Sequence, residues 1–211
     1  MKHIVLLGDS IFDNGAYVAG GPDVVQQIRA RLPEGRRATL LAVDGAVTSG
    51  VERQLAGLPA DATDLVVSVG GNDALGQAHV LDEGARSMAE AVAKLAGIRE
   101  RFEQGYRAML DGVLARGLPT AVCTIYDGRF PDPARQRLVV TALAIFNDVI
   151  TRAAFARGVA LIDLRLICDA DEDYANPIEP SVRGGEKIAA AITGLVSDQD
   201  HAGPRSVVAA R

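Results

Sequence analysis

Only two cysteines, Cys123 and Cys168, occur among the 211 residues, and each sits in or beside an apolar run. Buried free thiols are the expectation; a disulfide framework or a metal site would need more partners. No basic cluster stands out and the net charge is −5, which argues against a general nucleic-acid binder. No stretch approaches the roughly 18 apolar residues of a membrane span. The first apolar run is too short for the core of an export signal. A soluble cytoplasmic protein without a membrane partner is therefore expected. No Gly/Ser linker, shift of composition or internal repeat divides the chain. Its glycine-rich stretches lack the GxGxxG and P-loop patterns, so no nucleotide cofactor is expected.

What is present is a globular composition, 48% hydrophobic and 23% charged, in a chain long enough for one ordinary domain. Residues 1–197 are read as that domain and 198–211 as a loosely ordered tail. Five apolar, β-rich runs recur: HIVLLG, ATLLAV, DLVVSVG, PTAVCTIY and VALIDL. Helical patterns separate them, including one long segment from about Asp82 to Arg116. Apolar strands alternating with helices predict an α/β three-layer sandwich around a five-stranded parallel sheet buried on both faces. In such sheets ligands bind beyond the carboxyl ends of the strands.

Three polar stretches fall at such ends. The first strand stops at Gly8-Asp9-Ser10, a turn that either presents a serine hydroxyl to substrate or is merely capped by its own side chains. The second is followed by Gly45, and the third by Gly70-Gly71-Asn72-Asp73. The Ser10 N–H, the Gly45 N–H and the Asn72 amide converging on one point would form an oxyanion hole, the device that stabilises the tetrahedral intermediate of acyl transfer. Asp9, Asp13 and Asn14 beside the serine are candidate pocket residues; Asp13 and Asn14 could equally cap the first helix.

With these motifs in this order, the chain resembles the GDSL, or SGNH, hydrolases from Ile4 to about Val196. GDS with IFDN looks like their first block, Gly45 like the second and GGND like the third. That resemblance implies a flavodoxin-like sheet and hydrolysis of a small ester, thioester or acyl group through an acyl-serine, without a cofactor. It makes Ser10 the nucleophile and Ser10 N–H, Gly45 N–H and Asn72 the oxyanion donors.

The family's last block carries Asp-x-x-His, and here the chain departs from it. Aligning the following residues puts Glu179 where the histidine belongs and Asn176, also a candidate pocket residue, where the aspartate belongs. Of the three histidines, His3 begins the first strand at the wrong edge of the sheet, His79 follows the third block, where a loop could carry it to the site as an alternative base, and His201 forms an Asp-x-x-His with Asp198 beyond the last helix instead of before it. Glu179 between Ile178 and Pro180 is the candidate base. A carboxylate can accept the serine's proton, and burial would lift its pKa from a reference of about 4.3, with an acidic activity limb around pH 5 to 6. Losing both family residues fits a Ser–Glu pair. It equally fits a site that binds an acyl or carboxylate ligand without turning it over, in which Glu179 only bonds a backbone N–H or an arginine. A module acting through a protein partner is the third class. The DADEDY stretch at 169–174 spaces its acids like a calcium loop but lacks the required glycine and closing glutamate, so a solvated acidic loop is expected.

Overall fold

The structure, a computed structural model, describes residues 2–196. The 198–211 tail and His201 therefore lie outside the described residues. Five strands, β1 (His3–Gly8), β2 (Arg37–Leu40), β3 (Asp64–Ser68), β4 (Thr120–Cys123) and β5 (Ala160–Ile162), form one parallel sheet in the order β2-β1-β3-β4-β5. The unbroken apolar runs follow from this arrangement. Every residue of β1 is buried, Val5 and Leu7 feeding one core while Ile4 and Leu6 feed the other. From β1 the chain steps out to β2 and returns to β3 on the opposite side. The switch point of the sheet thus lies between β1 and β3, directly beyond Gly8 and Ser68, which pair in register.

Helices cover both faces. On one, α1 (Val24–Arg31) and α7 (Val182–Val196) pack Ile28, Ile188 and Ile192 onto the sheet. On the other lie α2 (Val51–Leu55), α4 (Met88–Leu114) and α5 (Pro133–Ala156), where Phe102, Tyr106, Leu110, Phe146 and Ile150 form the larger core. Two short helices, α3 (Gly71–Gly76) and α6 (Leu164–Ile167), follow β3 and β5. Asp23 starts α1 with a capping box: it accepts the Gln26 N–H at 2.7 Å, while Gln26 Oε1 accepts the Asp23 N–H at 3.0 Å.

The long segment read from about Asp82 to Arg116 is one helix, α4, though it starts later than expected: a 3₁₀ turn over Ala78–Asp82 comes first, and Ser87 Oγ caps the Glu90 N–H where the helix begins at Met88. Two expectations are corrected. By length and composition α5 is apolar enough to span a bilayer, with mean hydropathy 1.6, although here Phe146, Val149 and Ile150 bury one of its stripes against the sheet. The DADEDY stretch is not simply solvated: Asp173 is fully buried and accepts from Lys187 Nζ at 2.7 Å, while Asp171 pairs with Arg129. Cys123 and Cys168 are buried and free.

Candidate active site

Gly8 ends β1 with φ +127°, and a Cβ there would lie 1.8 Å from the Ser68 carbonyl oxygen, so only glycine lets β1 press this closely on β3. Its peptide groups are held by one side chain. Gln54 Oε1 accepts the Gly8 N–H at 2.8 Å, and Gln54 Nε2 donates to the Gly8 carbonyl at 2.7 Å. The chain then turns sharply, with the Phe12 and Asp13 N–H groups both donating to the Asp9 carbonyl. This turn sets Ser10, 7% exposed, at the carboxyl edge of the sheet.

The loops after β2 and β3 are locked to this turn and to each other. Asp13 Oδ2 accepts the Asp44 N–H at 2.9 Å, so Asp13 holds the loop that carries Gly45 (φ +76°). Asn72 Nδ2 donates to the Ala46 carbonyl at 3.0 Å, which leaves one amide hydrogen uncommitted. Its neighbour Asp73 accepts from both the N–H and the hydroxyl of Thr48 at 2.9 Å. Neither the Ser10 N–H nor the Gly45 N–H has a backbone acceptor among the described residues.

The last block arrives as a loop pinned at many points. Asn14, fully buried, donates to the Pro180 carbonyl at 3.2 Å and accepts the Val24 N–H at 3.0 Å. Tyr126 donates its hydroxyl to the Ile178 carbonyl at 2.7 Å. Asn176 Oδ1 accepts the N–H groups of Ile178 and Glu179, at 2.9 and 3.0 Å, so it shapes the loop's backbone. Glu179 is buried, and among the described residues its Oε2 has no hydrogen-bond partner, neither a backbone N–H nor an arginine.

Burial pushes the Glu179 carboxyl up to about 7, and the Asp44 carboxylate adds to the rise. Hydrogen bonding from Ser10 draws it partly back. That contact is loose, since the pair does not close at standard bond geometry, as is common in sites without substrate. Asp9 is buried even more completely and rises to about 8, held back by the Ile11 N–H and raised further by Glu179.

An apolar cavity of about 170 Å³ opens here. Asp9, Ser10, Asn72 and Glu179 line it together, along with aliphatic side chains of α3, α4 and α5. Gly45, Asp13, Asn14 and Asn176 do not line it. Gly45 borders a separate groove along residues 41–57, and the other three spend their polar atoms on the loops just described. His79 is exposed and lies 3.8 Å from Glu83, outside the cavity wall. His3 sits at the opposite end of β1, bonded to Asp61 and Thr39. Gln54, Asp73 and Tyr126 were not legible as site supports. Only Asp73 stood inside a motif; the other two look like ordinary helix and strand residues.

Residues 6–186 match the GDSL-like lipase/acylhydrolase family. The chain belongs to that family. Its solved relatives share the fold at low identity. An extracellular lipase from Streptomyces rimosus is 20% identical, covering 92% of this chain and 99% of that one with a TM-score of 0.67. The lipase Lip_vut3 from a goat rumen metagenome is 17% identical over 93% and 98%, with a TM-score of 0.70. A phospholipase A1 from Streptomyces albidoflavus NA297 is 19% identical over 92% and 98%, at 0.63. No curated protein sequence matches the chain. This GDSL-family chain has the five-stranded parallel sheet that the strand pattern predicts, in the flavodoxin-like order that the family resemblance implies.

Proposed function

We propose that this GDSL-family protein is a serine acyl hydrolase in which Glu179 replaces the family's histidine as general base. The observation that carries the reading is the buried Glu179 carboxylate beside the Ser10 hydroxyl, with its Oε2 unpartnered among the described residues. A serine is a poor nucleophile unless a neighbour takes its proton. Glu179 accepts the Oγ proton as Oγ bonds the ester carbonyl carbon. The oxyanion is met by the Ser10 N–H and the free hydrogen of the Asn72 amide, whereas Gly45 borders the separate groove. Collapse breaks the bond to the leaving oxygen, which takes the proton from Glu179. Water, deprotonated by Glu179 in turn, then bonds the acyl carbon; the C–Oγ bond breaks, Ser10 Oγ takes the proton back from Glu179, and the acid leaves.

A carboxylate needs no tautomer fixed by an orienting partner, which accounts for Asn176 serving the loop instead. The substrate is a small-molecule ester, thioester or acyl compound. The test is hydrolysis of p-nitrophenyl acetate together with labelling by a fluorophosphonate probe. Both should occur in the wild type and vanish in Ser10→Ala. A rate unchanged in Ser10→Ala would move the chemistry elsewhere, and no hydrolysis of any short ester or thioester would leave a protein that binds acyl ligands without turnover.

A further inference from the structure

The cavity beside Ser10 is polar at one end and aliphatic beyond it. On α5, Val139, Ala142, Leu143 and Phe146 face into it, the i, i+3, i+4, i+7 positions of one helical stripe, while Leu95 and Ile98 of α4 also line it. Asp9, Asp127, Arg135 and Glu179 line it as well, and the cation among them, Arg135, is already engaged, donating to Asp82 Oδ1 at 2.9 Å. We propose that this cavity is a length gauge for a medium-length acyl chain of about eight carbons, an inference that rests on Ser10 being the acylated residue.

Two arguments fix which part of the substrate enters and how long it is. The leaving alcohol must depart and water must arrive before deacylation, whereas the acyl group stays bonded to Ser10 through both steps. The apolar recess between α4 and α5 therefore suits the acyl part, and its solvent-facing mouth suits the alcohol. For length, the stripe from residue 139 to 146 rises about 10 Å at 1.5 Å per residue. An extended chain advances about 1.2 Å per bond, taking the roughly 3.5 Å reach of three backbone bonds per residue. Eight or nine bonds fill the stripe. Ala142 is its small residue and sits midway, where a larger side chain would shorten the space.

The experiment is a series of p-nitrophenyl esters from acetate to palmitate. In the wild type kcat/KM should rise about fourfold per added methylene, from the usual worth of a buried CH₂, and level off or fall beyond about octanoate. Ala142→Phe should move the break to shorter esters and lower the octanoate-to-acetate ratio at least about tenfold. Leu143→Ala, which enlarges the space, should move the break to longer ones and serves if Ala142→Phe does not fold. A flat chain-length profile, or a break that neither folded variant moves, overturns the gauge. Octanamide, an uncharged head on the same chain, is titrated calorimetrically against Ser10→Ala and against Ser10→Ala with Ala142→Phe. If no ester is hydrolysed but octanamide binds only with Ala142 intact, the hydrolase reading fails and the gauge stands. If esters are hydrolysed without regard to length and octanamide does not bind, the gauge alone fails.

Discussion

Asn14 and Pro180 join the two ends of the candidate site: a fully buried amide in the first block donates at 3.2 Å to the carbonyl that directly follows Glu179. The same side chain accepts the first N–H of α1. One residue thus fixes the serine turn, the start of a helix and the loop carrying the proposed base. The chain is 166 positions long between the bonded residues, so the contact constrains the assembled site rather than a local turn.

Replacing Asn14 by Leu should therefore cost stability and activity together. The near-isosteric side chain leaves the Pro180 carbonyl and the Val24 N–H buried without partners, each worth about 1–3 kcal/mol. Urea unfolding should show a loss of about 2–5 kcal/mol. Asn14→Asp keeps the acceptor for Val24 but sets an oxygen against the Pro180 carbonyl, so it should lose kcat even where it remains folded. A stable, fully active Asn14→Leu would mean that this bond does not position Glu179.

Asn72 has one amide hydrogen on Ala46 and one to give. Asn72→Ala should lower kcat toward p-nitrophenyl acetate about a hundredfold or more, the scale of one lost oxyanion donor, with a much smaller change in KM. Part of any stability loss belongs to the Ala46 contact, so the separation of kcat from KM is the decisive reading. An equal rise in KM with kcat preserved would place Asn72 in ground-state binding.

Asp9 provides a pH test of stability that does not depend on turnover. Its folded carboxyl sits at about 8 because it is buried, far above its ordinary value near 3.8. The folded state therefore holds a proton that the unfolded chain has already released. The stability tied to that proton is fully present below about pH 4 and is lost as pH rises through 8. Asn keeps the acceptor for Ile11 and cannot ionise. The Tm of Asp9→Asn relative to wild type should climb between pH 4 and 8 and then level off. A difference constant with pH would mean that Asp9 is charged in the native protein.

Much of the architecture was legible because parallel strands buried on both faces give continuous apolar runs, and all five runs contain a strand. Their ends were less legible. In ATLLAV the ladder stops at Leu40, since Leu41 and Ala42 both donate to the Leu6 carbonyl and the local pairing is broken. Two of the three strand-end motifs and the aligned last block point to Ser10, Asn72 and Glu179, which line one cavity, while Gly45 does not. Asn14 and Asn176 carry the polar side chains of pocket residues but are spent on backbone groups, a distinction set by long-range partners that spacing does not reveal. The cavity itself was not legible, because its walls are helix stripes indistinguishable in sequence from core.

The Glu179 carboxyl, lifted by burial to about 7, places the acidic limb higher than the pH 5 to 6 expected from sequence. A general base must be ionised to accept a proton, so kcat/KM for p-nitrophenyl acetate should rise about tenfold per pH unit below 7 and level off above it. Glu179→Gln keeps the shape and removes the basicity; it should lose most activity at every pH while staying folded. Glu179→His should restore part of the rate. Asn176→Asp in that background should add little, because Asn176 Oδ1 faces the backbone N–H groups of residues 178 and 179 and is committed there. His79→Ala should leave the profile untouched, since the ring is exposed and lies outside the cavity. Near-normal rates in Glu179→Gln with a dead His79→Ala would transfer the base to His79 and require the segment 77–83 to fold over Ser10.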